Sequence, residues 1–187
     1  MGNGFQCSQD QGDVFWTCQV LSSIDIFLQR SQISIVDWYC YLGVMLDPLL
    51  DFHLQVEYVS GKVKRATNKV SMLLRDRLGI PVDIAIKLYK ALVRPHIDYA
   101  IAAWASVRDS DLLKLEQVQS QSLRRLTGVK RHSATAALEV LAGIMPVRFR
   151  VMDLCSREYV KLMAKCDNHP VKELLQQSVR KGSVGHW

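Results

Sequence analysis

Long apolar runs are missing from this 187-residue sequence: no stretch approaches the eighteen uncharged apolar residues that a membrane-spanning helix requires. The first thirteen residues are polar and lack the basic-then-apolar order of a secretory signal peptide. We therefore expect a soluble, intracellular protein, in either the nucleus or the cytoplasm, with no membrane partner. An apolar content of 49% alongside 22% charged residues is typical of a chain that buries a core.

Paired cysteines are also missing. The five cysteines are odd in number, scattered and never in CxxC spacing, which argues against a disulfide framework and against a zinc finger. Only Cys155, Cys166 and His169 form a grouping, but ten residues separate the two cysteines and no fourth ligand has suitable spacing. We expect reduced thiols and no bound metal or other cofactor.

Catalytic motifs are equally scarce. The sequence contains no Walker loop and no dinucleotide fingerprint. His53, His96 and His132 stand apart from any serine or cysteine in a recognisable nucleophile arrangement. Asp109-Ser110-Asp111 could attract a metal, but its position directly before an amphipathic pattern favours capping of a helix. We predict no catalytic residue.

Positive charge is abundant in one part of the chain only. Residues 1–50 carry one basic and five acidic residues, a net charge of −4, whereas residues 51–187 carry 23 basic and 13 acidic residues, a net charge of +10. A basic surface of this kind is typical of proteins that contact phosphate, because each neutralised phosphate releases counterions. The alternative is an ordinary solvated basic surface.

The apolar pattern changes its period near Pro48. Before it, three short segments are β-branched or aromatic and partly alternate, which predicts two or three strands that end in a hairpin: Ile24–Phe27, Ile33–Val36 and Tyr39–Leu46. After it, the period is helical. The first predicted helix has an apolar stripe of six residues: Val59, Val63, Ala66, Val70, Leu73 and Leu74.

Two more helices are predicted downstream. One extends from about residue 84 to 105, with Leu92 and Trp104 on its buried stripe and a break near Arg94 because Pro95 removes a backbone hydrogen bond. The next begins after Asp109 and ends at Gly128, and its stripe includes a polar residue, Gln119.

Two basic groups are candidates for contact with nucleic acid. Lys62, Arg65 and Lys69 are spaced to share one face of the first helix, away from its apolar stripe. The second group surrounds the end of the helix that stops at Gly128: Arg124, Arg125, Lys130 and Arg131. For that second group the alternative is a favourable interaction with the helix dipole.

The fold class that follows is mainly α, with a short β remnant followed by a bundle of five to six helices. We expect an irregular N-terminus (1–22), the β remnant (23–50), a helical domain (51–166) and a C-terminal tail (167–187).

Four segments in a fixed order resemble the reverse transcriptases of non-LTR, jockey-like (LINE-type) retrotransposons. They are Tyr41-Leu42-Gly43-Val44-Met45-Leu46-Asp47, then Leu88 to Ala100 with Trp104, then Leu115 to Gly128, and then Ala137 to Val147. The resemblance covers about residues 33–165. It implies that the first segment closes the palm of a polymerase and that the helices form its thumb and linker.

The resemblance also implies where catalysis would come from. Template-directed polymerisation needs two divalent metals held by carboxylates, Mg²⁺ in the full-length family. In the family these aspartates precede the YLGV strand, but the forty residues before Tyr41 contain no adjacent aspartate pair. We therefore expect a truncated, non-catalytic fragment that binds at most template–primer duplex, without sequence specificity.

Two alternatives stay open. The chain could be the C-terminal portion of an active polymerase encoded by a longer chain, or a helical module that binds a protein partner.

Overall fold

The computed structural model describes residues 26–28, 31–33, 36–75, 81–130 and 132–165. Over these residues the protein is mainly α, with short strands before the helices, as predicted. The predictions for the irregular N-terminus, the C-terminal tail, Arg131, Cys166 and His169 lie outside the described residues.

The strands form two antiparallel hairpins: β1 (Ile26–Leu28) with β2 (Ser31–Ile33), and β3 (Tyr39–Tyr41) with β4 (Val44–Leu46). In the second hairpin Tyr39 pairs with Leu46. Leu42 and Gly43 connect these strands, and both have positive φ angles, of 47° and 81°. Two consecutive residues with positive φ are typical of the tight two-residue turn that joins twisted antiparallel strands. The predicted hairpin is confirmed.

Six α-helices follow in the described part of the chain: α1 (His53–Arg75), α2 (Val82–Leu88), α3 (Pro95–Asp98), α4 (Asp109–Thr127), α5 (Thr135–Ala142) and α6 (Val147–Met163). α4 and α5 end at Gly128 and Gly143, each in the left-handed conformation with φ of 71° and 58°. Glycine adopts this conformation without the steric penalty that a Cβ would impose. The predicted end of α4 is therefore confirmed.

A π-helical segment, Tyr89–Val93, separates α2 from α3. The amide of Arg94 donates to the carbonyl of Tyr89, five residues earlier, at 2.9 Å. Pro95 follows immediately, and its ring can neither donate a hydrogen bond nor fit against an unbroken α-helix. The predicted distortion near Arg94 is confirmed.

The core lies where α1 and α4 pack on each other and on the π segment. Val59, Val63 and Val70 are buried along α1, and Trp104 is fully buried as predicted. Leu73 and Leu92, which were assigned to buried stripes, are instead 60% and 47% exposed. In the π segment the extra residue per turn shifts the buried positions, so that Val93 is buried in place of Leu92. Leu88 stays partly buried against the core beside fully buried Tyr89.

Two polar contacts show how α1 and α4 are aligned. His53 Nδ1, at the start of α1, lies 3.0 Å from Asp111 Oδ1, at the start of α4. Farther along, Thr67 donates to the hydroxyl of Ser122 at 2.9 Å. Because both contacts advance in the same order along the two helices, α1 and α4 are roughly parallel.

The cysteine prediction needs one correction. Cys40, which is buried in β3, is disulfide-bonded, so the expectation of reduced thiols is wrong for this residue. A disulfide requires proximity in space, which spacing along the chain does not reveal. Cys155 is free and half-buried, and burial raises the pKa of its thiol.

Candidate nucleic-acid interface

The basic face of α1 forms one side of a groove with a volume of about 510 Å³. Residues of α1 and of the segment from the π helix to α3 line this α1 groove: Lys62, Arg65, Ala66, Lys69, Val70, Leu73, Leu92 and His96. The three predicted cations of α1 are therefore brought together in one concave surface. Leu73 and Leu92, which do not enter the core, are apolar parts of the same surface.

The carboxylates of the described residues do not neutralise the cations of the α1 groove. Neither Arg65 nor Lys69 forms an ion pair with any residue in the described ranges. Lys62 Nζ lies 4.1 Å from the centroid of the Tyr58 ring, a cation–π contact that leaves its charge intact. The pKa of His96 is lowered by burial and by the charges of these three cations. The α1 groove is therefore a positively charged surface with room for an anion.

The second predicted group is divided by the fold. Arg124 holds the loop after α4: its guanidinium donates to the carbonyl of Ser133 and to the hydroxyl of Thr135, both at 2.8 Å, and to the hydroxyl of Ser120. Arg125 and Lys130 are exposed, and Arg131 lies outside the described residues. Within this group, the guanidinium of Arg124 is bound to the loop after α4, whereas Arg125 and Lys130 face solvent.

A buried polar network, which the sequence did not lead us to predict, connects the helices next to the α1 groove. Gln119 of α4 is fully buried and accepts hydrogen bonds from Arg94 at 3.0 Å and from Tyr89 at 3.2 Å. It donates to Glu139 of α5 at 2.9 Å, and Arg94 also donates to the carbonyl of Met145 at 3.0 Å. Burial raises the pKa of Tyr89 to about 12, although the charge of Arg94 opposes this effect.

The three helical segments of the resemblance meet in this network. Tyr89 and Arg94 belong to the first of them, Gln119 to the next, and Glu139 and Met145 to the last. A glutamine in an apolar stripe was the signal in the sequence, because a buried side-chain amide must find hydrogen-bond partners.

The hairpin segment of the resemblance is attached to the same helices. Tyr99 donates to the carbonyl of Leu42 at 2.6 Å, and Gln55 accepts from the amide of Met45 at 2.8 Å. The carboxylate of Asp47 accepts from the amides of Asp51 and Phe52, directly before α1 begins. The second hairpin is therefore fixed against α1 and the turn after α3.

Asp109 and Asp111 both lie in the first turn of α4, where the helix dipole favours negative charge, but the predicted side-chain cap does not form. Arg108 occupies the N-cap position of α4 and makes no side-chain capping bond. Asp111 is buried beside His53 and Lys114, whose polar atoms each lie 3.0 Å from its carboxylate. Burial raises the pKa of this carboxyl, but the hydrogen bonds and charges of Lys114 and His53 outweigh that effect and lower it. In the described ranges, no three potential metal-ligating side chains cluster.

None of the described helices has the length and apolar character needed to cross a membrane. No protein-family model matches the chain, and no solved structure gives a significant match.

Named relatives match between about half and most of the chain. The RNA-directed DNA polymerase from mobile element jockey of Drosophila funebris is 24% identical over 158 residues, which are 84% of this chain and 17% of that polymerase. The probable RNA-directed DNA polymerase from transposon X-element of Drosophila melanogaster is 27% identical over 47% of this chain and 10% of its own length.

A third relative comes from Nasonia vitripennis. The retrovirus-related Pol polyprotein from type-1 retrotransposable element R1 3 of Nasonia vitripennis is 26% identical over 64% of this chain and 33% of its own length. The chain thus spans a third or less of each of these relatives. Their identities are low but consistent, and they confirm the resemblance to RNA-directed DNA polymerases of non-LTR retrotransposons.

Proposed function

We propose that this chain is the thumb-like part of a retrotransposon RNA-directed DNA polymerase, and that its helical region binds the backbone of template–primer duplex without reading sequence. The observation that carries the proposal is the α1 groove, in which three cations face one concave surface and form no ion pair with a carboxylate of the described residues. The names of the relatives support the choice of partner, because such polymerases act on nucleic acid.

The composition of the α1 groove fits a sugar–phosphate backbone. Lys62, Arg65 and Lys69 offer charges to phosphates, while Leu73 and Leu92 offer apolar surface to sugars. Backbone contacts of this kind fix position and carry no direct sequence information. Arg125 and Lys130, both exposed, extend the basic surface available to a long duplex.

We further propose that the chain by itself does not polymerise nucleotides. Two-metal catalysis needs close carboxylates, and the sequence contains no adjacent aspartate pair. Purified protein given primer, template, deoxynucleotides and Mg²⁺ should incorporate no nucleotide. Templated incorporation would overturn this part of the proposal and favour an active polymerase. The coding sequence upstream tests whether a longer chain supplies the aspartates.

Salt dependence of binding tests the α1 groove directly. We expect the affinity for a fluorescent RNA–DNA duplex, measured by anisotropy, to fall steeply as salt rises. Replacing Lys62, Arg65 and Lys69 with Ala should reduce the log–log slope by about 2 to 3, since each phosphate contact contributes about 0.9 in B-DNA. Two duplexes of different sequence should be weakened equally.

A matched control separates local contact from net charge. Replacing the exposed lysines Lys64, Lys87 and Lys165 with Ala removes the same charge, but none of them lines the α1 groove. This control should retain most of the slope. Equal slopes for the two folded triple variants would exclude the α1 groove as the binding surface.

A protein-binding function is the second candidate. Four large apolar side chains on α5 and α6 are more than half exposed: Val140, Leu141, Phe149 and Val160. Apolar surface of this kind is typical of interaction sites when it forms a continuous patch. Absence of duplex binding even at low salt would favour this candidate.

A further inference from the structure

We propose that His96 is an additional phosphate-contacting residue of the α1 groove and binds as the imidazolium, so that the protein takes up a proton when it binds nucleic acid. This inference rests on the proposed function and adds a residue that neither the charge pattern nor the resemblance indicated.

The position of His96 places it opposite the cations of α1. It follows Pro95 in α3, is partly buried, and lines the α1 groove together with Leu92 of the preceding π segment. Its neighbours Arg94 and Asp98 are occupied elsewhere, with Gln119 and with Arg150 respectively. The side chain of His96 forms no hydrogen bond or ion pair with another residue of the described ranges. The imidazole is therefore available to a ligand in the α1 groove.

The electrostatics of the α1 groove disfavour protonation of this imidazole. Burial is the largest cause of the lowered pKa of His96, and the charges of Lys62, Arg65 and Lys69 lower this pKa further. These three are the charged groups that face it from α1, and all of them are cations. A phosphate bound between them has the opposite effect, because its negative charge and its oxygen acceptors favour the protonated ring.

The sign of the pH effect follows from linkage. Binding raises the pKa of His96, so the bound state holds one more proton between the lower pKa of the free protein and the higher pKa of the complex. Affinity should therefore increase as pH falls through that window, by up to about tenfold per pH unit for one proton. Above the window the ring is neutral in both states, and the effect vanishes.

Anisotropy titrations at constant salt over a series of pH values test the proposal. The unmodified protein should bind duplex more tightly as pH falls, and His96→Gln should remove most of this dependence. His132→Gln is the matched control, because His132 is exposed and does not line the α1 groove. That variant should keep the pH dependence of the unmodified protein.

A second measurement uses the unmodified protein and therefore does not depend on whether a variant folds. The C2 proton of His96, observed by NMR, reports the pKa of the ring in free and duplex-bound protein, and we expect a higher pKa in the complex. An unchanged pKa, or a pH dependence that persists in folded His96→Gln, would overturn the role of His96.

If binding is salt-sensitive and depends on the α1 cations but not on pH, this inference fails while the proposed function stands. If salt-sensitive binding is absent, both fail.

Discussion

The cations of α1 and the arginines between the helices differ in what surrounds them. Arg65 and Lys69 face solvent in the α1 groove and have no ion-pair partner among the residues described. Arg94 and Arg124, in contrast, donate to oxygen atoms on other elements, and Arg94 is almost fully buried. A cation bound by oxygens of other elements stabilises the fold, whereas a cation without partners is available to a ligand.

Arg94 should give the largest loss of stability. Arg94→Met removes the hydrogen bonds to Gln119 and to the carbonyl of Met145 and the ion pair with Asp98, so we expect the free energy of unfolding to fall by about 3–5 kcal/mol. Urea denaturation measures the change. In the double variant Arg94→Met/Glu139→Leu the loss should be smaller than the sum of the single losses, since both residues bind Gln119. Strict additivity would show that they are not coupled.

Arg124 should give an intermediate loss. Arg124→Ala removes the donors to Ser133 and Thr135 that hold the loop after α4, so we expect a decrease of about 1–3 kcal/mol. Its neighbour Arg125 is exposed, and Arg125→Ala should change stability by no more than about 0.5 kcal/mol. Equal losses in the two variants, measured by thermal unfolding, would contradict the division of this basic group.

The sequence predicted the helices well because their boundaries depend on local chemistry. Gly128 ends α4 since the left-handed conformation suits glycine, and Pro95 breaks the second helix since it lacks an amide hydrogen. Trp104 is large and apolar and was correctly expected in the core. At each of these three positions, the chemistry of the residue itself is enough to predict the local structure or the burial.

The register within the second helix could not be predicted in the same way. A constant 100° per residue placed Leu92 in the core, but the π segment adds a residue to one turn and moves Leu92 to the surface. Whether Pro95 would be accommodated by a kink or by a π turn depends on packing against α1 and α4, which lies beyond the local sequence.

The candidate site was predicted only in part, because some of its residues are far apart in the sequence and meet only in the folded protein. Lys62, Arg65 and Lys69 share one helix, so their common face follows from helical spacing. His96 joins them only because α3 folds back against α1, and Arg124 is occupied only because the loop after α4 returns to it. Both facts depend on tertiary contacts that the charge pattern does not contain.

The smallest expected change in stability concerns the α1 groove, and its sign is the informative quantity. Arg65 and Lys69 are like charges four residues apart on one helix, an arrangement that destabilises a helix by about 0.2–0.5 kcal/mol. Arg65→Ala/Lys69→Ala removes this repulsion and introduces the residue with the highest helix propensity, so we expect unfolding to require up to about 0.5 kcal/mol more. The gain should shrink as salt rises, because screening already weakens the repulsion in the unmodified protein.

The same variant should bind duplex more weakly, which would identify the α1 groove as a surface kept for a ligand at some expense of stability. Urea denaturation at low and high salt, beside anisotropy on the same samples, measures both quantities. A loss of stability above about 1 kcal/mol would instead place Arg65 and Lys69 with Arg94 and Arg124, as side chains that hold the fold.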